Sequence, residues 1–459
     1  MKPSQPFPTR RQRRLSATEI DLEVVRQRAL IVGTTFLVRG VEEAEDSLAE
    51  LALLAETAGA DPVDRMLARR DKPDPATYVG RGKLEEFRQR AQDADVDVVI
   101  FDDGLSPAQQ RNLEKCFGCD VVDRVALILD IFAQHASSQE GMIQVELAQL
   151  RYRLPRLRGR GTELSQQGAG IGTRGPGETQ LEVDRRRLTR RISKLERDLR
   201  SLASTRNTQR KARRRAGLRR VAIVGYTNAG KSTLLNRLTH SEALVRNQLF
   251  STLDPTTHRF RLPGGETILL SDTVGFIRRL PHELVEAFRS TLEEASEVDL
   301  LLHVVDATET DPDLRLQAVR EVLGEIGASG HAEFLVWNKA ELCSPETIGH
   351  LEEQYPESVV VSARTGSGID DLRRVLGERL RALTAMVELF VPPDRGDVLA
   401  AAHREGEVVV EVHEPGGCRV RVRLPEASRG RFVAWEVPGR VVEAHSNHDG
   451  SRKKNHESR

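Results

Sequence analysis

The chain has 459 residues, 30% of them charged and only 4% aromatic, with Lys/Arg and Asp/Glu balanced to a net charge of zero. That length suggests about three domains, no run of about 18 apolar residues marks a membrane span, and the basic stretch over residues 1–15 is not followed by the apolar segment of a secretory signal. Four cysteines exclude a disulfide framework and fit a reducing, cytoplasmic setting. Of these, Cys116 and Cys119 form a C-x-x-C without the other two ligands of a structural zinc site, which reads as two ordinary thiols near a turn.

Residues 1–20 have too few apolar side chains to pack and read as a disordered basic arm. Residues 21–137 read as a small α/β domain. Strand-like runs occur at 29–33, 96–101 and 120–123, helical spacing links Val41, Leu48, Leu51 and Leu54, Ser106-Pro107 opens a second helix, and a third starts at Val125. Asp102-Asp103 reads as a solvated turn at a strand end rather than a metal site.

Residues 138–218 change character. Ile143, Leu147, Leu150, Leu154 and Leu157 form one apolar stripe, and Leu188, Ile192, Leu195, Leu199 and Leu202 form another. Two such helices joined by a Gly-rich segment at 159–180 predict an antiparallel helical hairpin with that segment at its tip, and Pro155 should kink or end the first helix. Residues 151–220 hold 22 Lys/Arg against 6 Asp/Glu, an excess of 16 positive charges that the rest of the chain must balance. An isolated charge run is usually a solvated face, but this imbalance beside a Gly-rich tip points to a polyanion. With Tyr152 the sole aromatic there, phosphate and shape contacts are favoured over base stacking.

Residues 219–385 alternate strands (221–224, 267–271, 300–305, 334–337, 358–361) with helices, which predicts a doubly wound, mainly parallel sheet. His303 falls inside one of these strands and reads as a core residue. Residues 386–446 alternate apolar and polar at 407–412, 418–422 and 432–437, with a turn at Pro415-Gly416-Gly417. They predict a small β or α+β domain, followed by a disordered tail at 447–459.

The chemistry concentrates in the fourth segment. Gly225-Tyr226-Thr227-Asn228-Ala229-Gly230-Lys231-Ser232, followed by Thr233, fits the phosphate-binding loop G-x-x-x-x-G-K-[ST] between a strand and a helix. There the backbone N–H groups and the helix N-terminus face a triphosphate, Lys231 reaches the β- and γ-phosphates, and Ser232 holds Mg²⁺. Asp272-Thr273-Val274-Gly275 fits D-x-x-G, whose carboxylate serves Mg²⁺ and whose Gly275 N–H senses the γ-phosphate. Asn338-Lys339-Ala340-Glu341 nearly fits N-K-x-D, whose acid accepts from guanine N1–H and N2–H₂. Ser362-Ala363-Arg364 fits the loop that reads guanine O6. Phe250-Ser251-Thr252-Leu253-Asp254-Pro255-Thr256-Thr257 falls where a first switch loop belongs. Thr252 is the leading hydroxyl to complete Mg²⁺ coordination, with Thr256 and Thr257 as competitors.

These stretches, together with residues 76–84, Gly175-Pro176-Gly177-Glu178-Thr179-Gln180-Leu181-Glu182 and Asp272 to Phe276, resemble the HflX family within the Obg–HflX group of translation-associated GTPases over nearly the full length. The resemblance implies an N-terminal α/β subdomain, a helical arm, a G domain and a C-terminal domain. It also implies binding to the large ribosomal subunit and its RNA with the arm tip near the peptidyl transferase centre, ribosome splitting or rescue under stress, and ribosome-stimulated GTP hydrolysis. A cytoplasmic monomer is expected. Glu341 departs from the usual Asp but keeps two acceptor oxygens, so guanine preference should survive. Phe276 stands where many G proteins place a water-orienting Gln, which predicts slow intrinsic hydrolysis. An RNA-binding or remodelling protein merely regulated by its nucleotide is the alternative; a metabolic P-loop kinase is disfavoured by Asn338-Lys339 and Ser362-Ala363.

Overall fold

The computed structural model describes residues 26–35, 41–69, 71–157, 176–215, 218–239, 249–250, 252–279, 281–288, 292–383, 386–424 and 426–437. The basic arm at 1–20, most of the Gly-rich tip, Ser251 and the tail from 447 lie outside them. The chain forms two compact units, Met1–Leu127 and Ile128–Arg459.

In the first unit the elements run β1 (Gln27–Thr35), α1 (Val41–Thr57), β2 (Ala60–Arg69), α2 (Arg81–Asp93), β3 (Val98–Phe101), α3 (Pro107–Phe117) and β4 (Asp120–Asp123), with α4 (Arg124–His135) starting here and ending in the second unit. The four strands are parallel in the order β2-β1-β3-β4. β1 is apolar and buried on both faces, as a parallel strand covered by helices must be. Ser106 caps α3 in a reciprocal capping box with Gln109, and left-handed Gly118 closes it. Cys119 follows that turn, where burial and neighbouring acids push its thiol up to about 11, so it stays protonated and unreactive at neutral pH. Asp102 departs from the solvated turn expected of it. It is buried, accepts from Ser47 Oγ at 2.6 Å, and pairs at 2.7 Å with Arg124, which also pairs with Glu50 at 3.0 Å. Sequence reasoning missed this because the cation arrives from a helix 22 residues later.

The second unit opens with α5 (Gln139–Arg156) and α6 (Pro176–Arg215). Pro155 falls in the last turn of α5, which ends at the next residue. Of the two apolar stripes, Leu147 and Leu195 are the buried members, and the ion pairs Arg191–Glu146 (2.6 Å) and Arg151–Glu196 (2.8 Å) tie the helices together. A six-stranded sheet follows. Its elements are β5 (Arg219–Gly225), α7 (Lys231–Thr239), β6 (Thr257–Arg261), β7 (Thr267–Asp272), α8 (His282–Ala287), β8 (Leu300–Asp306), α9 (Pro312–Glu325), β9 (Ala332–Asn338), α10 (Pro345–Gln354), β10 (Val359–Val360) and α11 (Ile369–Ala382). The strand order is β10-β9-β8-β5-β7-β6, parallel except for the edge strand β6. Val221, Ile223, Leu302, Val304, Phe334 and Val336 pack on α7 and α11 from one face, while Val305, Leu316, Trp337 and Leu351 form a core on the other. Because β5 is central, the order of strand addition reverses beside it, and the crevice beyond its C-terminal end is where such sheets bind ligands.

β11 (Met386–Val391), α12 (Gly396–Glu405), β12 (Glu407–Glu414), β13 (Gly417–Arg423) and α13 (Glu426–Arg429) complete the chain, with a three-stranded antiparallel sheet in the order β11-β13-β12. The strand read at 432–437 is instead a 3₁₀ turn, Val433–Trp435. Its alternation reflects Phe432 entering the core while Val433 remains 59% exposed.

Candidate functional site

The phosphate loop connects β5 to α7. Gly230 has φ 88°, left-handed backbone that excludes a β-carbon at no cost only for glycine, and an added Cβ there would collide with the Asn338 amide. Gly275 stands as close: a Cβ would lie 2.7 Å from Thr227 and 3.0 Å from Lys231 Nζ. Asn228 takes the left-handed φ of 61° at the loop's exposed turn, whereas Ala229 and Tyr226 are buried. Thr227 Oγ1 is buried with no hydrogen-bond partner among the described residues, an orphaned donor inside a loop built for anions.

Lys231 is buried and donates from Nζ to the Tyr226 carbonyl at 2.8 Å. Burial pushes its ammonium down to about 8, against the opposing pull of the Asp272 carboxylate. Ser232, Thr252 and Asp272 converge. Ser232 Oγ lies 2.6 Å from Asp272 Oδ2 and 2.8 Å from Thr252 Oγ1. Desolvation pushes the Asp272 carboxyl up, while Lys231 and the two hydroxyls pull it back. Three hard oxygen donors from three separate segments fit a small divalent cation such as Mg²⁺. Of the three candidate threonines, Thr252 alone joins this cluster. Thr257 turns to Ser271 at 3.0 Å, and Thr256 is exposed. Thr273 and Val274 are buried behind it, with Thr273 Oγ1 donating to the Ile223 carbonyl at 2.7 Å.

At the far side, Asn338 is buried and binds two loops at once. Its Nδ2 donates to the Ala229 carbonyl at 2.8 Å, and its Oδ1 accepts from Ala363 N–H at 2.9 Å. Lys339 is left-handed and pairs with Asp306 at 2.6 Å. Ala340 opens a 3₁₀ turn carrying the exposed Glu341. Ser362 is buried, with its Oγ accepting from Thr365 N–H, and Arg364, itself exposed, offers its carbonyl to Arg237 of α7. Thr233 stands half-buried on α7.

Two assigned residues behave differently from the rest. Phe276 is buried and held by two backbone bonds to the start of the phosphate loop, Thr227 N to its carbonyl at 2.7 Å and its own N–H to the Gly225 carbonyl at 3.1 Å. Asp254 turns away from the cation cluster. Its carboxylate accepts from Ser137 N, Ser137 Oγ, Ser138 N and Ser138 Oγ at the start of α5. Burial alone would raise this carboxyl, but those four donors outweigh it and hold it below the ordinary range. Beside it, Leu253 and Phe250 are buried, and Phe250 meets Phe132 of α4 edge-on at 4.7 Å. Sequence reasoning missed Ser137 and Ser138. Ser138 carries a cap signature for α5, but nothing local announces an acid from 116 residues away.

A phosphate loop on the central strand, tied through Asn338 to the Ser362-Ala363-Arg364 loop beyond β10, is the arrangement of a P-loop GTPase. Three family descriptions match in succession: "GTP-binding GTPase N-terminal" over residues 45–133, "GTP-binding GTPase Middle Region" over 135–213 and "50S ribosome-binding GTPase" over 220–339. The chain is 44% identical over 399 residues to a GTPase HflX of Caldanaerobacter subterraneus, covering 87% of this chain and 91% of that one. It is also 44% identical over 395 residues to the GTPase HflX of Escherichia coli, covering 85% and 92%. A Sulfolobus solfataricus GTP-binding protein solved with GDP aligns over 78% of this chain and 100% of its own at 26% identity and a TM-score of 0.42. The chain therefore belongs to the HflX family of GTPases, and it binds and hydrolyses GTP. Among the described residues no helix is long and apolar enough to cross a membrane.

Proposed function

We propose that this GTPase is a cytoplasmic switch that acts on the large ribosomal subunit, splitting or rescuing ribosomes under stress, and that the ribosome stimulates its hydrolysis. The observation that carries this reading is the charge on α6. Arg185, Arg186, Arg187, Arg190, Arg191, Lys194, Arg197 and Arg200 are all exposed, and Arg185, Arg190 and Lys194 have no carboxylate partner among the described residues. That is a surface for a phosphate backbone. The description "50S ribosome-binding GTPase" carried by the matching family supports the same partner.

Within the nucleotide site, Lys231 and the loop amides bind the β- and γ-phosphates, and the Gly275 N–H reports the γ-phosphate. Asn338 braces the phosphate loop against the Ser362-Ala363-Arg364 loop, and Glu341 accepts from the guanine edge. Ser232, Thr252 and Asp272 would hold Mg²⁺, which would neutralise part of the triphosphate's charge. Burial lowers the affinity of Lys231 for its proton only to about 8, so the side chain stays mostly charged at neutral pH and meets the triphosphate as an ammonium. Phe276 offers no hydrogen bond to a water, so the group that orients it comes from the partner.

The test is GTP turnover with and without large subunits, repeated after deletion of residues 159–180 and across a salt series. Strong stimulation that is lost on deletion, with GDP affinity unchanged and subunit binding falling steeply between about 50 and 200 mM salt, is the expected result. Turnover indifferent to large subunits would overturn the proposal and leave an RNA-binding protein regulated by its nucleotide.

A further inference from the structure

The edge strand β12 has its polarity inverted. On β13, Cys418, Val420 and Val422 enter the core. The register pairs His413 with Cys418 and Glu411 with Val420, so both polar residues lie on the core side of the sheet. Val410 and Val412 pair with Arg421 and Arg419 and face outward, 41% and 45% exposed. A register shift between Val408 and Val410 produces this reversal. The reversal therefore turns two valines to water and sets a carboxylate and an imidazole beside a buried thiol.

Those three side chains are arranged as ligands. Cys418 Sγ lies 3.6 Å from Glu411 Oε1, His413 Nε2 lies 3.9 Å from the same oxygen, and the three ligand atoms all fall within 4.8 Å of one another. Tetrahedral zinc, with bonds of about 2.0–2.3 Å, separates its ligand atoms by about 3.4–3.6 Å. The sulfur–oxygen spacing already matches, and the imidazole, with 77% of its side chain exposed, is free to close the remainder. The other Glu411 oxygen accepts from His403 Nε2 of α12 at 2.9 Å, the kind of contact that orients a ligating carboxylate.

We propose that Glu411, His413 and Cys418 form a zinc(II) site, with the fourth position open to solvent and His403 as a positioning residue. Thiolate, imidazole and carboxylate together select zinc over magnesium or calcium. On loading, the Cys418 thiol releases its proton to solvent and the sulfur–metal bond replaces the S–H···O contact to Glu411. The ion clamps the two strands of the β12–β13 hairpin beside its turn and, through Glu411 and His403, fastens the hairpin to α12. A module of about fifty residues is small enough for such a clamp to supplement its core.

The experiment uses the full-length, nucleotide-free, reduced protein after chelator treatment. One equivalent of Co²⁺ should give a near-ultraviolet thiolate-to-cobalt band that Zn²⁺ abolishes. The Cys418→Ser variant should lack the band, while a variant with Cys116→Ser and Cys119→Ser keeps it. In competition with a chromophoric chelator, Glu411→Gln and His413→Ala should weaken Zn²⁺ binding by upward of about 100-fold, and His403→Ala by about 10- to 100-fold, all with unchanged GDP affinity. The exposed His413 keeps the result readable even if Cys418→Ser folds poorly. No band at stoichiometric cobalt, a band that survives in Cys418→Ser or disappears with Cys116 and Cys119, or wild-type zinc affinity in His413→Ala and Glu411→Gln would each overturn the site.

Discussion

Substituting Gly141 by Ala should reverse the usual sign of that change. In the first turn of a helix, alanine normally stabilises over glycine by up to about 1 kcal/mol. Here a Cβ at Gly141 would run into Asp254 Oδ1 and crowd Ser138 Oγ at 3.1 Å. To make room, the carboxylate must leave some of its four donors. Hydrogen bonds to a charged group contribute about 1.5–3 kcal/mol each, so losing even one outweighs the gain in propensity. We expect Gly141→Ala to weaken the start of α5 by about 1–2 kcal/mol, and Asp254→Ala by about 3 kcal/mol. The carboxyl is held below its ordinary range, so the latch is complete at neutral pH and is lost only as pH falls below about 4. Native-state hydrogen exchange at the Gly141 and Met142 amides reads this locally, because 1.4 kcal/mol corresponds to about tenfold faster exchange. In the Asp254→Ala background the obstacle is gone, and Gly141→Ala should become stabilising. If Gly141→Ala slows exchange in the wild-type background, the latch does not govern the N-terminus of α5.

Three further outcomes are expected. Asn338→Ala strands the Ala229 carbonyl and the Ala363 amide, so fluorescent-GDP titration should show affinity reduced by about 10- to 100-fold; a loss under threefold would contradict the bracing role. Arg124→Ala leaves Asp102 and Glu50 buried without their cation and should destabilise the N-terminal unit by about 3–5 kcal/mol, while Arg124→Met should cost less, both measured by urea unfolding. Burial pushes the His303 imidazole down despite its 2.5 Å contact with Glu333, so it is a neutral donor, not half of a charged pair. A group whose pKa is lowered on folding binds protons more readily when unfolded, so stability is complete above about pH 6.5 and falls as pH drops below it. Thermal midpoints should follow that course in the wild type, with the step missing in His303→Gln.

The nucleotide site was legible because its residues are spaced by local backbone requirements. Gly225 to Ser232 must form one loop after one strand, and Asp272, Asn338 and Ser362 each close their own strand or follow it directly. The α5 and α6 stripes were legible for the same reason, since Leu147 and Leu195 recur at helical spacing. What stayed hidden depends on tertiary encounters. The Arg124–Asp102–Glu50 group joins three elements, and Asp254 looks like another loop acid until Ser137 and Ser138 meet it. Alternation at 432–437 mimicked a strand because one buried Phe432 beside an exposed Val433 satisfies a period of two, although only Glu436 bridges to Leu389 of β11.

The placement of Phe276 bears on how this GTPase could be altered by design. In a G protein whose equivalent side chain faces the phosphate, exchanging that one residue tunes the rate. Here the backbone of residue 276 is stitched to Gly225 and Thr227, and the ring is enclosed. Phe276→Gln would therefore bury an amide and loosen the phosphate loop before it brought any group near a water. Under the proposed function the hydrolytic clock is geared from outside the chain, and mutagenesis that aims to make it run alone has to re-route this segment, not merely re-letter it.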